Sequence, residues 1–322
     1  MDPQLWERIK HCKTLPAIPS LPLQVLKLCR DEQADSKKIA EVISKDPTFV
    51  AKLLNVANSG FYGGARHQVT TISQGVTLLG MNAIATLAFC FSLYRDLRKK
   101  GTGQFDHARY WRRSILSSLA ARVLGKWTPV LHKEECFLGA LLQDIGMLVL
   151  SETLAEHYKN VYDEAGQDHG LLERLEQHQW GADHSAVGAW LAETWELPEI
   201  LQHIIRGSHD PDRVQPSDDD RPAIQCVALS GRLADIWFYA NTEKALEKAL
   251  MDAVELSQAY FNFQPQEMLA ILQEMNEGLP EISNFFEANI GSPEEGRNIL
   301  ALAQQLLATS IAGGIAQTAM TS

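Results

Sequence analysis

Asp144 is a lone carboxylate in Phe137-Leu-Gly-Ala-Leu-Leu-Gln-Asp-Ile-Gly-Met-Leu-Val-Leu150, an otherwise almost wholly apolar stretch. At about 100° per residue, Phe137, Leu141 and Leu148 lie within about 60° of it, and Ala140 and Met147 flank the other side. The acid therefore points into apolar surroundings. An ionised carboxylate in such a place must be paired, hydrogen-bonded, neutralised or given a metal, because burying it bare is costly. Its neighbour Gln143 would offer a transition metal only a weak neutral oxygen, whereas an imidazole offers a strong nitrogen donor. Nothing else in the chain supplies an alternative catalytic set. There is no G-x-S-x-G, no glycine-rich phosphate loop after a strand, and no Cys/His pair close enough in sequence to propose.

The elements that must position this acid read as helices throughout. A proline-rich strap, Leu15-Pro-Ala-Ile-Pro-Ser-Leu-Pro22, precedes helical spacing from Leu23. A helix is expected over Ser36–Lys45, and another after Asp46, a candidate N-cap with Pro47 in the first turn. The latter helix stops at Asn58-Ser-Gly-Phe-Tyr-Gly-Gly64, whose Asn58, Phe61 and Tyr62 form a candidate partner-binding loop, or one that pins itself to the body. Asn82 is expected to cap a long apolar helix to Leu97. Further helices are expected over Asp106–Gly125 and over 134–151 as one unbroken element, with Asp183 capping the helix that begins at His184. Residues 207–222 are acidic and proline-bearing, which predicts a mobile loop.

The chain of 322 residues is 45% apolar, enough for one large or two ordinary domains. It has no run of 18 or more apolar residues and no signal-like N-terminus, so a cytoplasmic location without membrane association is expected. Five widely separated cysteines form no C-x-x-C pair and read as reduced core residues. A formal charge of −11 argues against broad binding to nucleic acid, and the basic group Arg95, Arg98, Lys99 and Lys100 reads as a solvated helix end.

Several spaced blocks together resemble the HDOD module, the regulatory and catalytically degenerate branch of the HD superfamily of metal-dependent phosphohydrolases, usually found in bacterial signalling proteins. They are the proline strap, Asp46-Pro, Leu53-Leu-Asn-Val-Ala-Asn-Ser59, Ile72-x-x-Gly-Val-x-Leu-Leu-Gly80 and Gly139-Ala-Leu-Leu-Gln-Asp-Ile-Gly-Met-Leu148. The resemblance implies an all-α, HD-like multi-helix bundle. It would have an N-terminal helical part over 1–100, a degenerate HD-like core over 104–240, and a C-terminal helical extension and weakly structured tail over 241–322.

It also implies where metal ligands would stand in the catalytic relatives. Those positions carry Arg113, Gln143, Asp144, His184, Ser208, His209 and Gly231 here, with Asp235 one turn beyond Gly231. Arg113, Gln143, Ser208 and Gly231 are poor or impossible ligands. Asp144, His184 and His209 remain, a set too sparse for a catalytic metal, so neither a metal nor a cofactor is expected. Arg113 is a candidate countercharge for Asp144, with Arg112 or Lys126 as other possibilities. The resulting expectation is a non-catalytic module that binds other signalling proteins. The alternatives are a metal-dependent phosphohydrolase or cyclic-nucleotide phosphodiesterase with an altered site, and a nucleotide-sensing module.

Overall fold

The computed structural model describes residues 3–12, 36–59, 68–98, 105–239 and 243–320, with isolated positions between 15 and 28. Phe61 and Tyr62 of the candidate loop, most of the proline strap, and Lys99 and Lys100 lie outside the described residues. Those described are helical throughout, with no strand among them. The N-terminal part contains α1 (Pro3–His11), α2 (Ser36–Ile43), α3 (Pro47–Asn58), α4 (Ile72–Leu79) and α5 (Met81–Leu97). Asp46 caps α3 through Phe49 N at 3.0 Å and takes Arg95 of α5 at 2.5 Å, so one carboxylate starts a helix and ties it to another. Asn82 is not a cap. The helix begins one residue earlier, after Gly80, whose φ of 86° lets the chain turn sharply out of α4. The Asn58 amide bonds Val69 O at 2.8 Å and accepts from Val69 N at 2.7 Å, closing the base of the loop.

The core is built on α6 (His107–Trp127), which packs against α7 (Lys133–Leu142) and α13 (Arg221–Phe238). The segment expected as one helix over 134–151 is two, because Gln143 and Asp144 form a turn before α8 (Ile145–Leu154). By length and composition Lys133–Leu154 could cross a membrane, yet 83% of its apolar window is buried in the fold. Then come α9 (Glu156–Ala165), α10 (His169–Trp180), α11 (His184–Thr194) and α12 (Glu199–Arg206). The packing of α11 on α8 depends on two glycines that face each other. A Cβ on Gly146 would lie 2.0 Å from His184 O, and one on Gly188 would lie 3.2 Å from Gly146 N. Only bare backbone lets the two helices come this close.

The expected mobile loop instead contains a 3₁₀ turn, Pro211–Arg213, and Arg213 ion-pairs to two neighbouring helices. Beyond α13, α14 (Glu243–Phe261), α15 (Pro265–Phe286) and α16 (Pro293–Met320) form the C-terminal part, with α15 returning to pack on α6. The tail expected to be weakly structured continues α16 to Met320.

Candidate metal centre

The break between α7 and α8 puts Asp144 at a bend, where its two carboxylate oxygens face different partners. Oδ2 accepts from Arg113 Nη1 on α6. The rest of that guanidinium is taken by Asp235 on α13, with Nε to Oδ1 at 2.7 Å and Nη2 to Oδ2 at 3.3 Å. Arg113 is thus a buried cation held between two carboxylates. Burial works against its charge, but Asp144 and Asp235 outweigh that and raise its pKa above the usual range. Gly231 makes room for this arrangement. A side chain there would begin 3.0 Å from Gln143 Oε1 and 3.1 Å from Arg113 Nη2, and Gly231 O accepts from Nη2 at 3.4 Å. The other cations considered for Asp144 are engaged elsewhere. Arg112 donates to Ile290 O and Trp237 O, and Lys126 pairs with Glu274 at 2.9 Å.

The second oxygen, Oδ1, has no well-formed hydrogen bond. Its neighbours are three imidazole nitrogens, His169 Nε2 at 3.3 Å, His184 Nε2 at 3.5 Å and His209 Nε2 at 3.3 Å. Among the nitrogens themselves, His169 and His209 are 3.4 Å apart and His184 and His209 2.7 Å. All four donor atoms lie within 4.8 Å of one another, and three of the four residues are fully buried. His184 and His209 are therefore not scattered, and a donor absent from the sequence reading, His169, joins them. Ser208 is not part of the cluster, its hydroxyl being spent on Ile205 O at 2.9 Å. Gln143 is not part of it either. Its buried amide has no hydrogen bond among the described residues and lies against Gly231.

Local sequence explains how the rings are aimed. Asp168 caps α10 through Leu171 N at 2.8 Å, and Asp183 caps α11 through Ala186 N at 2.9 Å. Each cap is followed by a histidine in the first helical position. Asp-His pairs at 106–107, 168–169 and 183–184 each start a helix, and only the last two deliver rings to the cluster, so the pair alone did not mark His169. Behind His184, buried Glu176 accepts from its Nδ1 at 2.6 Å and its backbone N at 2.7 Å, and from Tyr158 Oη at 2.7 Å. With Nδ1 held by Glu176, Nε2 is the nitrogen left to face the cluster, and its proton is the one an ion would displace, the carboxylate–histidine arrangement that orients metal ligands.

The titration of the cluster is split. Burial opposes charge on all three rings. At His184 the carboxylates of Glu176 and Asp144 outweigh it and raise the pKa well above the usual value. At His169 burial, reinforced by Arg113, pushes it well down, and at His209 burial also prevails. Asp144 is held well below the carboxylate range, since Arg113 and His169 together outweigh its burial.

Donor atoms bonded at about 2.1 Å to a four-coordinate ion stand about 3.4 Å apart. Four of the five separations above fall at 3.3–3.5 Å. The nitrogen-rich donor set and the unsatisfied Oδ1 both suit a single cation. Two spaces adjoin it, the larger of about 330 Å³ and lined by Asp168, His169, Arg232, Asp235 and Tyr239. A cavity of about 20 Å³ between Tyr110, Arg113, Asp144, Met147, His169 and Phe238 has room for about one water.

The chain belongs to the HDOD domain family, whose sequence profile matches residues 15–211. Among solved structures it is similar to an HDOD domain protein of unknown function from Geobacter sulfurreducens, with a TM-score of 0.65 and 19% identity over 88% of this chain and 96% of that one. It is also similar to a provisionally named phosphohydrolase from Shewanella amazonensis, with a TM-score of 0.60 and 19% identity over 92% and 98% of the two chains. At these identities the likeness is one of fold. An uncharacterized protein of Treponema pallidum is 22% identical over 217 residues, 67% of this chain, which spans only 41% of that relative's length.

Proposed function

We propose that this HDOD protein is a non-catalytic signal-transduction module that acts on other signalling proteins, and that its core holds one transition-metal ion on Asp144, His169, His184 and His209. The reading is carried by the convergence of three imidazole nitrogens on one unsatisfied carboxylate oxygen, with Glu176 fixing the tautomer of His184. It revises the expectation of no metal, which counted three donors and missed the fourth.

Two features favour a structural or sensory ion over a hydrolytic one. Four protein donors would fill a tetrahedral, zinc-type sphere and leave none of the open positions that catalysis needs for water or substrate. Where relatives of the HD superfamily place further ligands, the guanidinium of Arg113 is locked between Asp144 and Asp235. When bound, the ion would supply a Lewis-acidic charge that staples α8, α10, α11 and the 207–220 loop together.

The test is elemental analysis of the full chain purified from metal-supplemented medium, together with assays on phosphomonoesters and cyclic nucleotides. About one iron, zinc or manganese ion per chain, lost in His169→Ala and without turnover, is the expected result. A metal-free wild-type protein would sink the metal; metal-dependent hydrolysis would sink the non-catalytic role.

A further inference from the structure

The three histidines come from separate segments, and each of those segments places an acid close by. Glu173 is four residues after His169 on α10, Asp183 immediately precedes His184, and Asp210 immediately follows His209. All three acids converge on one guanidinium. Arg213 donates Nη1 to Asp183 and Nη2 to Glu173 Oε1 at 2.6 Å, and its Nε lies 3.4 Å from Asp210 Oδ2. The 3₁₀ turn that carries it closes when Arg213 N bonds Asp210 O at 3.1 Å. Arg213 touches none of the four donors.

We infer that Arg213 is the positioning residue of the metal centre, a latch that draws together the three segments that deliver the imidazoles. The inference rests on the metal reading above. Without the guanidinium, Glu173, Asp183 and Asp210 would lose the one cation that all three contact. Their repulsion would act on the segments whose approach the ion requires. With it, the rings are held in place before the ion arrives, so less ordering opposes binding. Partial exposure of Arg213, at 36%, makes the latch reachable by salt and solvent, unlike Arg113.

The experiment titrates Zn²⁺ into the chelator-stripped full chain against a chromophoric competitor, with thermal midpoints recorded with and without zinc. The variants are Arg213→Gln, Glu173→Gln and Arg221→Gln. Arg221 is a control from the same region, whose ion pair among the described residues is with exposed Asp212 at 3.5 Å. Arg213→Gln should weaken zinc at least tenfold, as removal of outer partners of metal ligands does. It should also shrink the rise in midpoint that zinc produces. Glu173→Gln should do the same to a smaller extent, and Arg221→Gln should change neither. Unaltered zinc affinity in Arg213→Gln overturns the latch, as does an equal fall in midpoint with and without zinc, which marks a merely structural contact. If the wild type itself takes up no zinc, iron or manganese, the metal reading fails and the latch falls with it.

Discussion

Replacing Arg113 by Met keeps most of the side chain's volume and removes only its charge and hydrogen bonds. The guanidinium is 8% exposed, and it is the cation that compensates Asp144, itself 1% exposed, and much of Asp235. Removing one partner of a buried pair leaves the other charge stranded and costs about 3–5 kcal/mol. For a chain of this size that lowers the midpoint by about 4–7 °C. The assay is urea unfolding of chelator-stripped protein at several pH values. In the wild type the Asp144 pKa is depressed, so its contribution is present above the unfolded carboxylate value and is lost as pH falls through the lower folded value. In the variant burial acts with less opposition and the Asp144 pKa rises. The deficit should therefore be largest near neutrality and narrow in acid as the stranded carboxyl takes up a proton. Adding Asp144→Leu should recover part of the loss, with a coupling of about 1–3 kcal/mol. A variant as stable as wild type at neutral pH, or a deficit that stays constant on acidification, would refute the reasoning.

Three other outcomes are expected. Gly146→Ala should cost at least about 3 kcal/mol or abolish folding, since its methyl would sit 2.0 Å from His184 O; soluble yield and thermal midpoint are the measures, and near-wild-type stability would mean α8 and α11 can part freely. Asp46→Ala should cost about 1 kcal/mol through the lost cap. Arg95 and the α3 amides outweigh burial and lower the Asp46 pKa, so in urea unfolding that difference should be present at neutral pH and fade as pH drops through the depressed value. Glu176→Gln should weaken zinc about 10–100-fold in the competition titration while leaving the four donors in place.

The helical frame was legible because Asp46-Pro47, Asp183 and the prolines at 265 and 293 are local signals, and each starts a helix where local chemistry demands it. The inward acid was legible from one carboxylate among aliphatic residues. The turn at Gln143–Asp144 was not, because an apolar run carries no mark of a two-residue turn. His169 escaped because its partners are 15 and 40 residues away and its own neighbourhood is polar. Asp235 was noticed but set aside in favour of Gly231. In the fold one turn of α13 separates them and both serve Arg113, the glycine by leaving space and the acid by supplying charge.

Arg113 gives Asp144 a counter-ion that is part of the polypeptide and so is always supplied. That side of the carboxylate is therefore balanced whatever the cell contains, while under the metal reading proposed above the other side would answer to the availability of a mobile ion. Under that reading the fold would be emptied and refilled without being dismantled, and scarcity of the ion would be registered as a change of rigidity in a protein that stays assembled.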